Sequence, residues 1–474
     1  MIIATFAVYM GLCLALGLVA WRRTRSLSDY LLGGRSLGSW VTAFGAQASD
    51  MSGWLLMGLP GLAYAAGFDA VWLATGLAVG TWLNWRYVAA PLRQATERAG
   101  NALTLPDYLE RRFDDRSRLL RALSALLILV FFTFYASAGF VAAGKLFESL
   151  FGLPYIEAIV WGSAVMLVYT VMGGFLAVSW SDVLQGSLMF VALIVVAALG
   201  VALAGGPVDG IARLGALPAA VVDGGAGETL GTIGIISLLA WGLGYPGQPH
   251  ILARFMAIRT VTAVTMARRV ATIWTVTVLG AAVVVGLTGA AVLEPTLAGA
   301  DRETVFIELS TRHLHPVLAG ICLSGILAAI MSTAAAQLLV ASSAFAEDLY
   351  RGFARPAATD RELLWAGRIA VLVIATLAFV IARDPTSQVL DLVAWAWAGF
   401  GAAFGPIILF ALYSRTVTRN AALAGMLVGG ITVIVWGQTS GGLFGLYELV
   451  PGFLLSLATI AAVSKVSASR PGFR

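Results

Sequence analysis

The chain contains little charge and very few cysteine and histidine residues. Only 12% of its 474 residues are charged and 59% are hydrophobic, whereas soluble proteins carry about 25% charged residues. The two cysteines, Cys13 and Cys322, lie in separate apolar runs, which argues against a disulfide framework or a zinc site. We place the three histidines at membrane edges, which disfavours a metal cluster or a proton relay. The composition predicts an all-α integral membrane protein.

About thirteen apolar runs are long enough to cross a bilayer as helices. They lie near residues 2–21, 38–65, 70–92, 119–147, 155–175, 183–205, 229–249, 266–293, 315–346, 366–383, 388–413, 418–437 and 444–466. With the N-terminus outside, most of the 30 Lys and Arg residues lie on the cytoplasmic side, as the positive-inside rule requires. We therefore predict a multi-pass protein of the cell inner membrane with a cytoplasmic C-terminus. Its small net charge of +5 indicates lipid contact and no nucleic-acid surface.

Asp50 is the only charged residue between Trp40 and Ala65. An aspartate near the centre of a span costs about 2.5–3.5 kcal/mol on insertion scales, so something must offset that cost. Six small residues lie in the run 45–53, where they weaken the helix and let backbone carbonyls turn away from its axis. Our hypothesis is that Asp50 lies at an unwound point that holds or steers an alkali ion. The alternative is an aspartate satisfied by backbone amides in a bundle core.

A second run of helix breakers, AWGLGYPGQPH, occupies residues 240–250 in the seventh span. Because spans 2 and 7 are five spans apart, the segments that they begin cross the membrane in opposite senses. This arrangement predicts an inverted repeat with a broken first helix in each half and a solute site near the midplane. The predicted division is an N-terminal helix and loop (1–37), repeat 1 (38–205), an external loop (206–228), repeat 2 (229–413) and two C-terminal spans with a short tail (414–474).

Span 9 carries hydroxyl groups at helical spacing. Ala329, Ser332 and Thr333 are three and four residues apart, so their oxygens can face one point. Hydroxyl and carbonyl oxygens suit a hard cation such as sodium. The alternative is that both hydroxyls bond back to the preceding turn of their own helix.

Aromatic residues lie near both breaks. Trp54, Tyr135, Trp241 and Tyr245 supply the flat walls that a small apolar solute needs, and broken helix ends supply dipoles for its charged groups. The alternative is ordinary core packing. An intramembrane enzyme is disfavoured, because no histidine is placed deep enough to activate a serine in a span.

Motifs spread over nearly the whole chain resemble the sodium/solute symporter family. They include ASDMSGWLLMGLPG, WGLGYPGQPHILARFMA and ILAAIMSTAAAQLLV. The resemblance is very close to proline-transporting members, and it implies a LeuT-like five-plus-five inverted repeat with one extra helix before it and two after. It also implies sodium-coupled uptake of L-proline by alternating access, with sodium as the co-transported ion, membrane lipid as the surroundings and no obligatory protein partner. A symporter of the same fold for another small solute, such as an amino acid, a carboxylate or a sugar, stays open.

The resemblance also implies roles for individual residues. The sodium ligands would be oxygens of Ala48, Met51, Ala329, Ser332 and Thr333. The substrate site would comprise Ser52, Gly53, Trp54, Tyr135, Trp241, Tyr245 and Pro249. Asp50 would couple sodium to substrate, and Arg35 would lie near the inner gate. Two residues differ from the family pattern, Pro246 in place of an aromatic residue and Asp391 in place of a small one; neither Asp391 nor Asp182 is given a role.

Overall fold

The structure is a computed structural model that describes residues 1–21, 31–172, 174–206, 230–439 and 441–468. Apart from its first residue, the predicted external loop 206–228 lies outside the described residues, as do residues 22–30 of the predicted first cytoplasmic loop and the end of the tail. The described residues are almost wholly helical. Their only β-type pairing is an isolated parallel bridge between Leu37 and Ile258.

The helices of the first half are α1 (Ile2–Trp21), α2 (Ser39–Asp50), α3 (Leu59–Ala66), α4 (Ala70–Asn84), α5 (Ala90–Arg98), α6 (Leu105–Arg112), α7 (Leu119–Phe151), α8 (Tyr155–Met172) and α9 (Phe175–Leu203). Those of the second half are α10 (Thr232–Leu239), α11 (Pro249–Ala257), α12 (Ala263–Val292), α13 (Val305–His313), α14 (Pro316–Ser343), α15 (Asp360–Ile381), α16 (Val389–Tyr413), α17 (Arg419–Trp436) and α18 (Leu449–Ala468). A π-helical turn, Trp54–Gly58, precedes α3, a second, Trp85–Ala89, joins α4 to α5, and a third extends α14 to Ala354.

Within the described residues, nine helical segments are long and apolar enough to cross a membrane. The longest of them, Trp54–Arg98, contains the end of predicted span 2 and all of span 3. Shorter apolar helices coincide with predicted spans 1, 5 and 7, at Ile2–Cys13, Tyr155–Leu167 and Thr232–Gly247. Each predicted span thus contains a helical segment.

Span 7 is broken near its middle, and the chain continues as a helix beyond the predicted end of this span. The predicted span stops at residue 249, but α11 continues the chain from Pro249, because proline is well accommodated in the first turn of a helix. His250 therefore lies inside the bundle with 1% of its surface exposed, whereas the sequence placed it at a membrane edge. His313 and His315 are exposed near helix ends, as expected.

Two glycines of α4 bring its backbone against the broken segment of span 7. A Cβ atom added at Gly76 would overlap the backbone of Leu239, and one added at Gly80 would overlap that of Gly242. Small residues permit this close approach of helix backbones in membrane proteins. The contact holds the irregular segment against a regular helix.

Candidate functional site

The first helix break takes the regular helical donors from a short run of backbone carbonyls that includes those of Ala48 and Met51. In an uninterrupted helix the amide of Ser52 would donate to the carbonyl of Ala48, and that of Leu55 to the carbonyl of Met51. Here the Ser52 amide donates to the Asp50 carbonyl at 3.1 Å and the Leu55 amide donates to the Ser52 carbonyl at 3.0 Å. Ala48 and Met51, the residues expected to offer backbone ligands in this helix, are thus among the carbonyls that lose their helical donors at the break.

Hydroxyl groups of α14 meet one of these carbonyls. The Ser332 and Thr333 hydroxyls both donate to the Ala48 carbonyl, at 2.7 and 3.2 Å, and Ser332 also lies 3.0 Å from the carbonyl of Ala329. Ser332 thus bonds both across to α2 and back to its own helix. These buried neutral oxygens form a donor set that fits a hard monovalent cation. Met51, which follows Asp50 at the break, is also buried.

Asp50 connects the break to the aromatic residues. Its side chain is fully buried, and its Oδ2 accepts a hydrogen bond from the Tyr245 hydroxyl at 3.0 Å. Its backbone carbonyl accepts the Trp54 indole N–H and the Tyr135 hydroxyl, both at 3.1 Å. The other carboxylate oxygen, Oδ1, has no hydrogen-bond partner among the described residues. Asp50 therefore contacts residues from both broken helices and from α7.

The structure brings four of the predicted substrate residues around this point. The ring centres of Trp54 and Trp241 lie 6.4 Å apart. Trp54 follows the break in span 2, and Trp241 lies within the irregular segment of span 7. Tyr135 and Tyr245 join them through Asp50. All four side chains are buried.

The remaining predicted substrate residues, Ser52, Gly53 and Pro249, have different surroundings. Ser52 lies within the break, and its Oγ is 3.5 Å from the Trp54 amide. Gly53 is a close-packing position, because an added Cβ would lie 2.7 Å from Cβ of Ala142. Pro249 begins α11 and lines a small separate cavity together with Met256.

Arg35, predicted near the inner gate, lies before α2 with φ +54°. Its guanidinium donates to the Ala102 carbonyl at 2.9 Å and to the Thr96 hydroxyl at 3.3 Å. Burial, with a smaller contribution from the neighbouring charge of Arg93, lowers the pKa of Arg35 to about 10, so the side chain is charged at neutral pH. Arg35 thus ties the start of span 2 to the loop after α5.

Sequence reasoning missed Trp397 of α16. Its ring lies 5.0 Å from Tyr245 and 6.4 Å from Trp241, and its indole N–H donates to the Trp241 carbonyl at 2.8 Å. Gln248 donates to the Trp397 carbonyl at 3.2 Å. The available signal was a tryptophan within the Gly-rich run WAWAGFGAAFGP.

A buried ion pair was also missed. Arg254 of α11 lies 3.0 Å from Asp182 of α9 and donates to the Ser179 hydroxyl at 2.9 Å. The sequence ended span 7 at residue 249 and so placed Arg254 in the cytoplasm, and it began span 6 at residue 183, next to Asp182. Asp391 lies exposed in the first turn of α16, where a carboxylate favours the positive end of the helix dipole.

A sequence profile of the Sodium:solute symporter family matches residues 30–429. The chain is 50% identical over 467 residues to a protein named Sodium/proline symporter from Escherichia coli (strain K12), covering 98% of this chain and 92% of that protein. It is 47% identical over 452 residues to a protein named High-affinity proline transporter PutP from Bacillus subtilis (strain 168), covering 95% of each.

Two solved structures show the same fold at low sequence identity. One is a substrate-bound, outward-open Na+-coupled sialic acid symporter, with a TM-score of 0.79, 18% identity and 98% of both chains covered. The other is MhsT in complex with L-phenylalanine, with a TM-score of 0.53, 14% identity and coverage of 91% of this chain and 98% of that chain. The protein therefore has the all-helical LeuT-type fold that was expected.

Proposed function

The chain belongs to the Sodium:solute symporter family, and from that premise we propose that it carries L-proline into the cell together with sodium by alternating access. It is a multi-pass membrane transporter and not an enzyme. The observation that carries the proposal is the Asp50–Tyr245 hydrogen bond, which joins two broken helices next to a set of released oxygens. Paired broken helices near the midplane are typical of secondary transporters.

Sodium would bind to the carbonyls of Ala48, Met51 and Ala329 and to the hydroxyls of Ser332 and Thr333. Both hydroxyls now donate their protons to the Ala48 carbonyl. A hydroxyl keeps lone pairs free while it donates, so rotation of these groups would turn those lone pairs toward a cation. Binding would fix the break of span 2 against α14.

Proline would bind between Trp54, Tyr135, Trp241 and Tyr245, with Ser52, Gly53 and Pro249 at the edges of the site. The aromatic faces suit its pyrrolidine ring, and the broken helix ends supply dipoles for its charged groups. Asp50 contacts Tyr245 and Tyr135 and also lies in the break that carries the sodium ligands. Ordering of this one segment by sodium would complete the substrate site, which couples the two ligands.

Sodium supplies the driving force because proline has no net charge. Moving one positive charge inward across 100 mV yields about 2.3 kcal/mol. At about 1.4 kcal/mol per tenfold, this energy supports roughly 40-fold accumulation before any chemical gradient is added.

The proposed topology has the N-terminus outside the inner membrane and the C-terminus in the cytoplasm. The distribution of Lys and Arg supports it. We assign spans 2–6 (38–205) and 7–11 (229–413) to the two inverted repeats, flanked by residues 1–37 and 414–474. Asp50 and Tyr245 then occupy the broken first span of each repeat.

The test is uptake of labelled proline by purified protein in liposomes. With an inward sodium gradient we expect concentrative uptake, and with choline in place of sodium we expect only equilibration or none. Sodium-independent accumulation would contradict the proposal. The second candidate is transport of another small solute, and the Pro246 difference from the family pattern is the reason to test it. Competition of other amino acids, carboxylates and sugars with labelled proline uptake distinguishes the two candidates.

A further inference from the structure

The ring of Trp241 stacks with a residue that lies outside both proposed repeats. Tyr447, just before α18, has its ring centre 5.5 Å from that of Trp241 with the two planes 20° apart. Trp397 of α16 stacks on the same indole at 6.4 Å and 26°. Trp241 therefore contacts a C-terminal span as well as its proposed substrate-site neighbours.

Two hydrogen bonds and one ring contact connect Tyr447 to three elements. Its hydroxyl donates to the Ala394 carbonyl of α16 at 2.6 Å, and its amide donates to the Ser237 hydroxyl of α10 at 3.0 Å. The ring itself packs on Trp241 in the 3₁₀ segment Ala240–Gly247. Tyr447 thus links the first half of broken span 7 to α16.

The 3₁₀ segment needs such external support. Glycine and proline weaken its own helical hydrogen bonding, and Gly244 leaves no side chain between the segment and Trp397, since an added Cβ would overlap the indole ring. The Trp397 indole N–H in turn satisfies the Trp241 carbonyl at 2.8 Å. Neighbouring elements therefore set the orientation of Trp241.

We propose that Tyr447, together with Trp397, is a positioning residue that holds Trp241 as a wall of the solute site, so that the C-terminal spans outside the repeat set solute affinity and ring-size selectivity. The inference rests on the proposed function through the assignment of Trp241 to the substrate site. Its structural part, the fixing of residues 232–247 by Tyr447, is measurable without any solute.

The transport test compares Tyr447→Leu, which removes the stacked ring, with Tyr447→Phe, which keeps the ring and loses only the hydroxyl. Stacking energies of aromatic pairs correspond to about two- to tenfold in an equilibrium constant. We expect Tyr447→Leu to raise the proline concentration for half-maximal uptake by about that factor, with a smaller change in maximal rate. Tyr447→Phe restores most of the affinity. Pipecolate, the six-membered-ring homologue of proline, competes better in the Leu variant.

Phe444→Leu is the matched control. Phe444 lies in the same segment before α18, but its ring packs on Trp436 at 4.5 Å and no ring contact joins it to Trp241. We expect its proline affinity and pipecolate competition to match those of the unmodified protein. Equal effects of Phe444→Leu and Tyr447→Leu would overturn the proposal, because general loosening of the segment would then explain both.

Amide hydrogen exchange in detergent, without sodium or proline, separates this inference from the proposed function. Tyr447→Leu should accelerate exchange in residues 232–247 and leave residues 249–257 unchanged. If exchange does not change, the positioning role is wrong. If exchange rises while affinity and selectivity stay constant, Trp241 is not a wall that Tyr447 sets, and the proposal is also overturned. Failure of the unmodified protein to transport proline would refute the proposed function and leave the exchange result to decide the structural part.

Discussion

At the scale of single residues, the Ser332 and Thr333 hydroxyls carry the proposed sodium site. Changing either residue to Ala removes one oxygen ligand, worth about one hydrogen bond, or roughly tenfold in affinity. We expect each variant to need about tenfold more sodium for half-maximal proline uptake. The measurement is sodium titration of uptake into liposomes at fixed membrane potential.

Ser324→Ala is the control for these variants. Ser324 lies on the same helix and is buried, but its hydroxyl bonds back to the Gly320 carbonyl at 2.8 Å. Its sodium dependence should match that of the unmodified protein. An ordinary sodium dependence in the Ser332 and Thr333 variants would refute this ion site.

Asp50 carries the second prediction at this scale. Asp50→Asn keeps the size of the side chain and replaces the carboxylate that accepts the Tyr245 hydrogen bond with a neutral amide. Hydrogen bonds to charged groups contribute about 1.5–3 kcal/mol, so we expect sodium-driven uptake to fall by at least about tenfold. Asp391→Asn, at an exposed carboxylate, should retain uptake within about twofold. Equal uptake by the two variants would exclude a coupling role for Asp50.

The sequence reveals some of these residues more readily than others. A carboxylate in an apolar span is conspicuous because burial without a partner is costly, so the sequence alone singles out Asp50. The two hydroxyls of span 9 were singled out by their helical spacing. Trp397 and Tyr447 were not, because an aromatic residue in an apolar helix is ordinary and only the fold shows which ring it meets. Arg254 was missed because span 7 was ended too early.

At the scale of elements, the broken helices depend on glycines that let other elements approach. A methyl group at Gly244 would overlap the Trp397 indole. Overpacking of this kind costs about 1–3 kcal/mol, so Gly244→Ala should lower the midpoint of thermal unfolding in detergent and reduce uptake. The measurement is a thermal scan of the purified variant beside its control.

Gly280→Ala supplies that control. Gly280 lies inside α12, and an added Cβ there would meet nothing within 4 Å. Alanine in a helix interior is favoured over glycine by about 0.5–1 kcal/mol, so this variant should be as stable as the unmodified protein or slightly more stable. Equal destabilisation by both substitutions would show that the Gly244–Trp397 contact is not what limits this segment.

At this scale both helix breaks were predictable, because breakers in the sequence act locally. Clusters of Gly, Ser and Pro weaken regular helix, and α2 ends at Asp50 within the predicted run. The exact ends of span 7 were not predictable, since Pro249 can stop one helix or start another. The segment before α11 packs against Gly76 and Gly80 of α4, and this contact between distant residues is not visible in the local sequence.

At the scale of the whole molecule, contacts close the bundle on two sides of the site. On one side, the Leu37 amide donates to the Ala257 carbonyl and the Arg259 amide donates to the Leu37 carbonyl, which ties the start of span 2 to the end of α11. On the other, Glu303 pairs with Lys145 at 2.6 Å and accepts the amides of Val389 and Leu390. These contacts join residues far apart in the sequence, so no local pattern predicts them.

The buried Lys145–Glu303 pair gives the last prediction. Breaking such a pair costs about 3–5 kcal/mol because one charge is left uncompensated. Glu303→Gln should therefore weaken closure at the start of α16 and lower proline uptake by at least about tenfold. The backbone amide of Leu390 donates a hydrogen bond to Glu303. In a background with Cys13 and Cys322 replaced by Ser, Leu390→Cys should therefore react faster with an aqueous thiol reagent when Glu303→Gln is also present.

Glu308→Gln is the matched control, because Glu308 forms a partly exposed pair with Arg312 within the adjacent helix α13. If the Leu390 cysteine reacts equally fast in both variants, the Lys145–Glu303 pair does not hold this side of the bundle closed.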